Sequence, residues 1–129
     1  MAAMTYADAK ERLLGIDSHF VTLVPASDIA AITDIGKLLV ITDEGEAGTG
    51  ADAGIPFGVL DKYETDAISV QDRGYMEITF EHNANAALEV TVGLYVETDG
   101  AGLGALSATN NRAIAVAVDA TNHKAIIRI

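Results

Sequence analysis

Strand-sized apolar runs, broken at regular intervals by glycine- or asparagine-rich turns, occur in this chain in an order that is used twice. Gly36-Lys37-Leu38-Leu39-Val40-Ile41-Thr42-Asp43 leads through a Gly-rich stretch to Phe57-Gly58-Val59-Leu60-Asp61 and on to Ala67-Ile68-Ser69-Val70. Gly93-Leu94-Tyr95-Val96-Glu97-Thr98-Asp99, a second Gly-rich stretch, Ala115-Val116-Ala117-Val118-Asp119 and Ala125-Ile126-Ile127-Arg128 repeat that order. The spacing is 57 residues from Gly36 to Gly93, and 58 from Asp61 to Asp119 and from Ile68 to Ile126. The pattern reads as a duplication of strand, long loop and hairpin, used twice to close one barrel. No helical pattern separates the strands, so a parallel βαβ fold is excluded.

Individual runs support strands. Tyr75 to Glu81 places Met76, Ile78 and Phe80 on one side and Glu77, Thr79 and Glu81 on the other, the period of a half-buried strand. Ala113 to Asp119 alternates Ile114, Val116 and Val118 with alanines, which suits a strand covered on both faces. Phe20 to Val24, Leu38 to Thr42 and Ala125 to Ile129 are further strands. One helix is expected, from Tyr6 to Leu14, capped by Thr5 and stopped at Gly15. The expected architecture is all-β: a small antiparallel β-barrel or sandwich with a two-fold internal repeat and a short N-terminal helix or arm. Residues 1–19 form the arm and 20–129 the β domain.

At 129 residues the chain suits one domain. Aromatic residues are only 5% of it, so Val, Ile, Leu and Ala must build the core. With no Cys, neither disulfides nor thiolate metal sites can help. A net charge of −11 repels phosphate, which argues against nucleic acid and anionic lipid as partners. The N-terminal residues have no basic start followed by an apolar stretch, and no apolar run approaches the ~20 residues of a membrane span. The chain is expected to stay in a cytoplasm, or in something assembled there.

A catalytic constellation is not visible. His19, His82 and His123 are scattered, with no i, i+4 pair, so no metal site is expected. Ser18, Ser27, Ser69 and Ser107 lack a G-x-S-x-G elbow. The acidic turns Asp43-Glu44-Gly45-Glu46 and Asp99-Gly100 lack the spacing of a calcium loop. Gly45 to Gly54 has no G-K-[ST] and carries acidic side chains that oppose phosphate. No catalytic residue, cofactor or metal is assigned, and the chain is expected not to be an enzyme.

Two resemblances stand out. Pro56-Phe57-Gly58-Val59-Leu60, Ile68-Ser69-Val70-Gln71-Asp72-Arg73-Gly74, Val92-Gly93-Leu94-Tyr95-Val96-Glu97-Thr98-Asp99-Gly100, Ile114 to Asp119 and Ala125 to Ile129 resemble, in order and spacing, the capsid decoration (cement) proteins of tailed bacteriophages. Leu94 stands where that family usually has an acidic residue, and Ala115-Val116 replaces its Gly-Val. The resemblance implies a non-enzymatic virion protein on the outer capsid surface, braced against the major capsid protein, as a trimer or beside neighbouring copies. Gly58-Val59-Leu60-Asp61-Lys62-Tyr63-Glu64 and Gly15-Ile16-Asp17 resemble motifs of trimeric dUTP pyrophosphatases, but the Arg-Ser-Ser phosphate motif is missing. A receptor- or carbohydrate-binding domain of a fibre or tail is a further alternative; it would normally show exposed aromatic platforms, and the chain has no Trp. The expected capsid or neighbour contact is Tyr6, Leu13, Leu14 and Phe20, an apolar set outside the repeated core. The same helix could equally cap one end of its own barrel.

Overall fold

The computed structural model describes residues 3–129. Helix α1 (Tyr6–Leu13) precedes ten strands: β1 (His19–Pro25), β2 (Leu38–Asp43), β3 (Glu46–Gly48), β4 (Gly58–Tyr63), β5 (Ile68–Arg73), β6 (Tyr75–Thr79), β7 (Tyr95–Thr98), β8 (Gly104–Leu106), β9 (Ala113–Asp119) and β10 (Lys124–Arg128). Among the described residues no helix is long and apolar enough to cross a membrane. The all-β fold with its short N-terminal helix is as the sequence implies.

The strands divide into two sheets of five. The first closes as a barrel in the order β1-β3-β2-β4-β5, and the second runs β6-β10-β9-β7-β8. These are the same sheet made twice, and the pairings show it residue by residue. Leu38↔Val59 and Leu39↔Gly58 in the first repeat become Tyr95↔Ile114 and Val96↔Ala113 in the second. Val59↔Gln71 and Leu60↔Val70 become Ile114↔Arg128 and Ala115↔Ile127. Each hairpin carries one bulged residue at the same place, Asp61 and Val116. Leu23↔Ile68 becomes Ile78↔Ala125, so β1 and β6 belong to the repeat as well.

The structure departs from the sequence expectation in two respects. The repeat does not close one barrel between its halves; each half folds on itself. The first half shuts through parallel pairing of β1 with β3, including Pro25↔Ala47, and the second reproduces this as a single parallel bridge, Phe80↔Gly104. The alignment also moves: Asp61 corresponds to Val116 and Ile68 to Ala125, rather than to Asp119 and Ile126. The β9–β10 turn, from Val118 to Ala125, is two residues longer than the β4–β5 turn, from Tyr63 to Ile68, and this hid the register. In the corrected alignment Gly58 falls opposite the small Ala113.

Equivalent positions line both cores. Leu39, Ala47, Leu60, Ile68 and Val70 fill the first; Val96, Gly104, Ala115, Ala125 and Ile127 take their places in the second. The second set is smaller at four of these positions. Its cluster is completed by Leu38 and Val59, which point outward from β2 and β4 of the first repeat onto Met76, Ile78 and Phe80. Leu38 is fully buried there, a burial that contributes roughly 2 kcal/mol. The seam is hydrogen-bonded too: Leu38 N donates to Gly102 O (2.9 Å), Ala53 N to Thr98 O (2.9 Å) and Thr98 N to Gly54 O (3.0 Å).

Helix α1 begins where Thr5 Oγ1 accepts from Asp8 N (3.2 Å), and the chain turns away at Gly15, whose φ of 89° suits glycine. It lies on the outer face of the second sheet, with Ala9 against β9 and buried. The row Glu77–Ile126–Ala117 runs beneath it, and Ile126 is fully buried. In the first repeat the equivalent row is Thr22–Ser69–Lys62, which is polar and carries no helix. The difference in sequence between the two rows decides which sheet needs a cover.

Candidate functional site

The structure separates the four residues expected to make the contact. Tyr6 sits on α1 with its hydroxyl donating to Glu77 Oε2 (2.8 Å). Burial, that hydrogen bond and the charges of Glu77 and Asp119 push its phenol well above the usual tyrosine range. Leu13 lines a shallow groove with Met4, Val92 and Val116. Leu14, just past the helix, is half-buried. Phe20 lies apart from them, on the outward face of β1 beside Val24, and both are exposed. Tyr6 and Leu13 therefore spend part of their apolar surface on their own second sheet, while Phe20 belongs to the first barrel.

The internal repeat singles out another face. Leu38 and Val59, on the outer side of β2 and β4, are covered because the second repeat packs on them. Their equivalents, Tyr95 and Ile114, are only partly covered by the described residues. Tyr95 is 40% exposed, Leu94 (47%) precedes it directly, and Val92 (56%), three residues before it, and Leu88 are exposed too. Exposed large apolar side chains along one stretch of the chain make it a candidate interaction surface. The residues were visible in the sequence as part of a strand; only the repeat's geometry shows that they face outward.

A second apolar feature is a cleft of about 420 Å³ between Val40, Ile41, Ile55 and Phe57. Arg112 forms one wall. Its Nε donates to Pro56 O (2.7 Å), one terminal nitrogen reaches Phe57 O (3.2 Å), and its guanidinium lies 5.7 Å from the Phe57 ring centre. These bonds staple the segment before β9 to the segment before β4. Ile41 and Ile55 on the rim are exposed.

At the opposite kind of site, polar and compact, three side chains from distant parts of the chain converge. His82 follows β6, Glu89 follows a 3₁₀ turn (Ala86–Leu88), and His123 ends the β9–β10 turn. His82 Nδ1 lies 3.1 Å from His123 Nε2, and Glu89 Oε2 lies 3.5 Å from the first and 3.4 Å from the second. The His123 ring also stands edge-on to Phe80, with centroids 5.4 Å apart. Sequence spacing gave no hint of this, because the three residues are 7 and 34 positions apart along the chain. The signal that could have found them is the longer second turn, which the repeat exposes once correctly aligned.

No family model matches the chain, and no curated protein matches it.

Proposed function

We propose that this chain is a non-enzymatic structural protein of a tailed-phage virion, which binds the outer capsid surface and stabilises the head. The major capsid protein and neighbouring copies of the chain are its partners in this reading. The observation that carries it is the exposure of Tyr95 and its neighbour Leu94, where the counterpart of Tyr95 in the first repeat, Leu38, is buried by protein. A face that is apolar at this scale gains by burial against another protein surface, and repetition over many copies multiplies the gain. The acidic surface also suits an exterior position, since packaged DNA would repel it. The order of strand motifs that resembles decoration proteins agrees with this reading.

The test is heat resistance of undecorated tailed-phage heads with and without the protein. The protein should raise the temperature at which heads release their DNA, and the double variant Leu94→Glu, Tyr95→Glu should not. Heads that gain nothing from the wild-type chain would refute the proposal.

A further inference from the structure

We infer that His82, Glu89 and His123 form a binding site for a single transition-metal dication of the zinc type. A zinc ion bonded to nitrogen and oxygen at about 2.0–2.2 Å holds tetrahedral neighbours roughly 3.3–3.5 Å from one another. The three donor atoms here form a triangle of 3.1, 3.4 and 3.5 Å, one face of such a tetrahedron. An ion can seat against this triangle with side-chain adjustments of a few tenths of an ångström. Two imidazoles and a carboxylate favour zinc, copper or nickel over calcium and magnesium, which take oxygen ligands.

The surroundings hold the donors in place. Asn83 N–H donates to Glu89 Oε2 (3.3 Å), and the side chain of Glu89 is only 15% exposed. His123 O accepts from Phe80 N (2.9 Å), so its backbone is tied to the end of β6, and its φ of 54° is a left-handed conformation that non-glycine residues seldom adopt. That conformation sits in the turn lengthened by two residues in the second repeat, and the first repeat has Ser27 where the second has His82. The site thus belongs to one repeat alone. His82 is 68% exposed, so the fourth position opens to solvent and takes water. The bound ion would add a further tie between the end of β6, the 3₁₀ turn and the β9–β10 turn, beyond the Phe80–His123 and Asn83–Glu89 hydrogen bonds. This role as a brace is independent of what the apolar face binds.

Calorimetric titration of Zn²⁺ into the full chain, stripped of metal beforehand, tests the site. One equivalent should bind with micromolar or tighter affinity, and the melting temperature should rise by about 5 °C or more with excess zinc. His82→Ala and Glu89→Gln should each weaken binding at least about tenfold. His19→Ala, which removes the histidine paired with Asp72 on β5, should leave it unchanged. Because His82 is exposed, its variant should melt like the wild type without zinc, so lost binding cannot be put down to unfolding. Titration with Co²⁺ should give the visible absorption of a four-coordinate ion. Absence of binding up to about 100 times micromolar concentration, or binding that survives His82→Ala and Glu89→Gln unchanged, would overturn the inference.

Discussion

At the scale of single residues, the tightest constraint is Gly58. A Cβ there would drive into the backbone carbonyl of Gln71 and against Val70. Its equivalent in the second repeat, Ala113, carries a Cβ at full burial. Gly58→Ala should therefore cost about 2–3 kcal/mol in chemical denaturation, a typical penalty for overpacking, while Ala113→Gly acts through backbone freedom and a small cavity. An unchanged unfolding midpoint for Gly58→Ala would mean that β4 and β5 are not paired in this register. Two carboxyls give opposite dependence on pH. The Asp34 carboxyl is held below its usual range by Lys37, then by the N–H groups of Ala30 and Ala31. Its folded value lies below its unfolded one, so its contribution is present at neutral pH and is lost as pH falls through the folded value. Glu81 is pushed up by burial, then by the negative charges of Asp99, Asp52 and Glu97. Ionised Glu81 therefore costs stability at neutral pH, and the cost vanishes on acidification through its folded value. Melting curves against pH should show Glu81→Gln more stable than wild type at pH 7, with the gap closing in acid; Asp34→Ala should be less stable at pH 7, with its gap closing too.

At the scale of elements, helix α1 is a cover for the second sheet. Ala9 is buried against β9, and Ile126 lies in the row beneath the helix. Ala9→Glu should lift the helix and expose that row, costing about 2 kcal/mol or more, with loss of helical signal by circular dichroism before the sheet melts. Coincident loss of both would show that the helix and sheet unfold as one unit. The elements that were legible in the sequence are those whose pattern is local. The alternation Met76, Ile78, Phe80 marked β6, and all three are buried. Thr5 and Gly15 marked the ends of α1 to within a residue. β3 and β8 were not legible, since each has only three residues and lies within or beside a Gly-rich stretch that reads as loop. They exist because β2 and β7 offer them open edges. In β9 the large side chains Ile114 and Val116 are half-buried, while Ala113 and Ala115 face the core. Small residues fit there because Leu38 and Val59 arrive from the other repeat, a long-range fact no local pattern carries.

At the scale of the whole molecule, the duplication was readable but its consequence was not. Similar runs 57 residues apart implied two equal units. Whether they would share a barrel or build two depended on the parallel contacts β1–β3 and Phe80–Gly104, which lie between segments with no matching motif. The candidate contact residues were legible only as apolar side chains, because exposure depends on which faces the repeats spend on each other. The face of β2 and β4 is spent inside the chain, while on the second sheet α1 covers part of β9 and Tyr95 of β7 stays exposed. Leu94→Glu with Tyr95→Glu should accordingly leave the unfolding midpoint within about 0.5 kcal/mol of wild type, as for surface changes generally. A large loss of stability would place those side chains inside the fold.

In the proposed function the chain binds an assembled shell. Light scattering of the purified protein, alone and mixed with undecorated tailed-phage heads, measures it directly. Saturable binding at a fixed number of copies per head is expected, reduced by Leu94→Glu with Tyr95→Glu and unaffected by surface changes elsewhere, such as Lys62→Ala. Heads whose mass does not change at any concentration of the protein would contradict it.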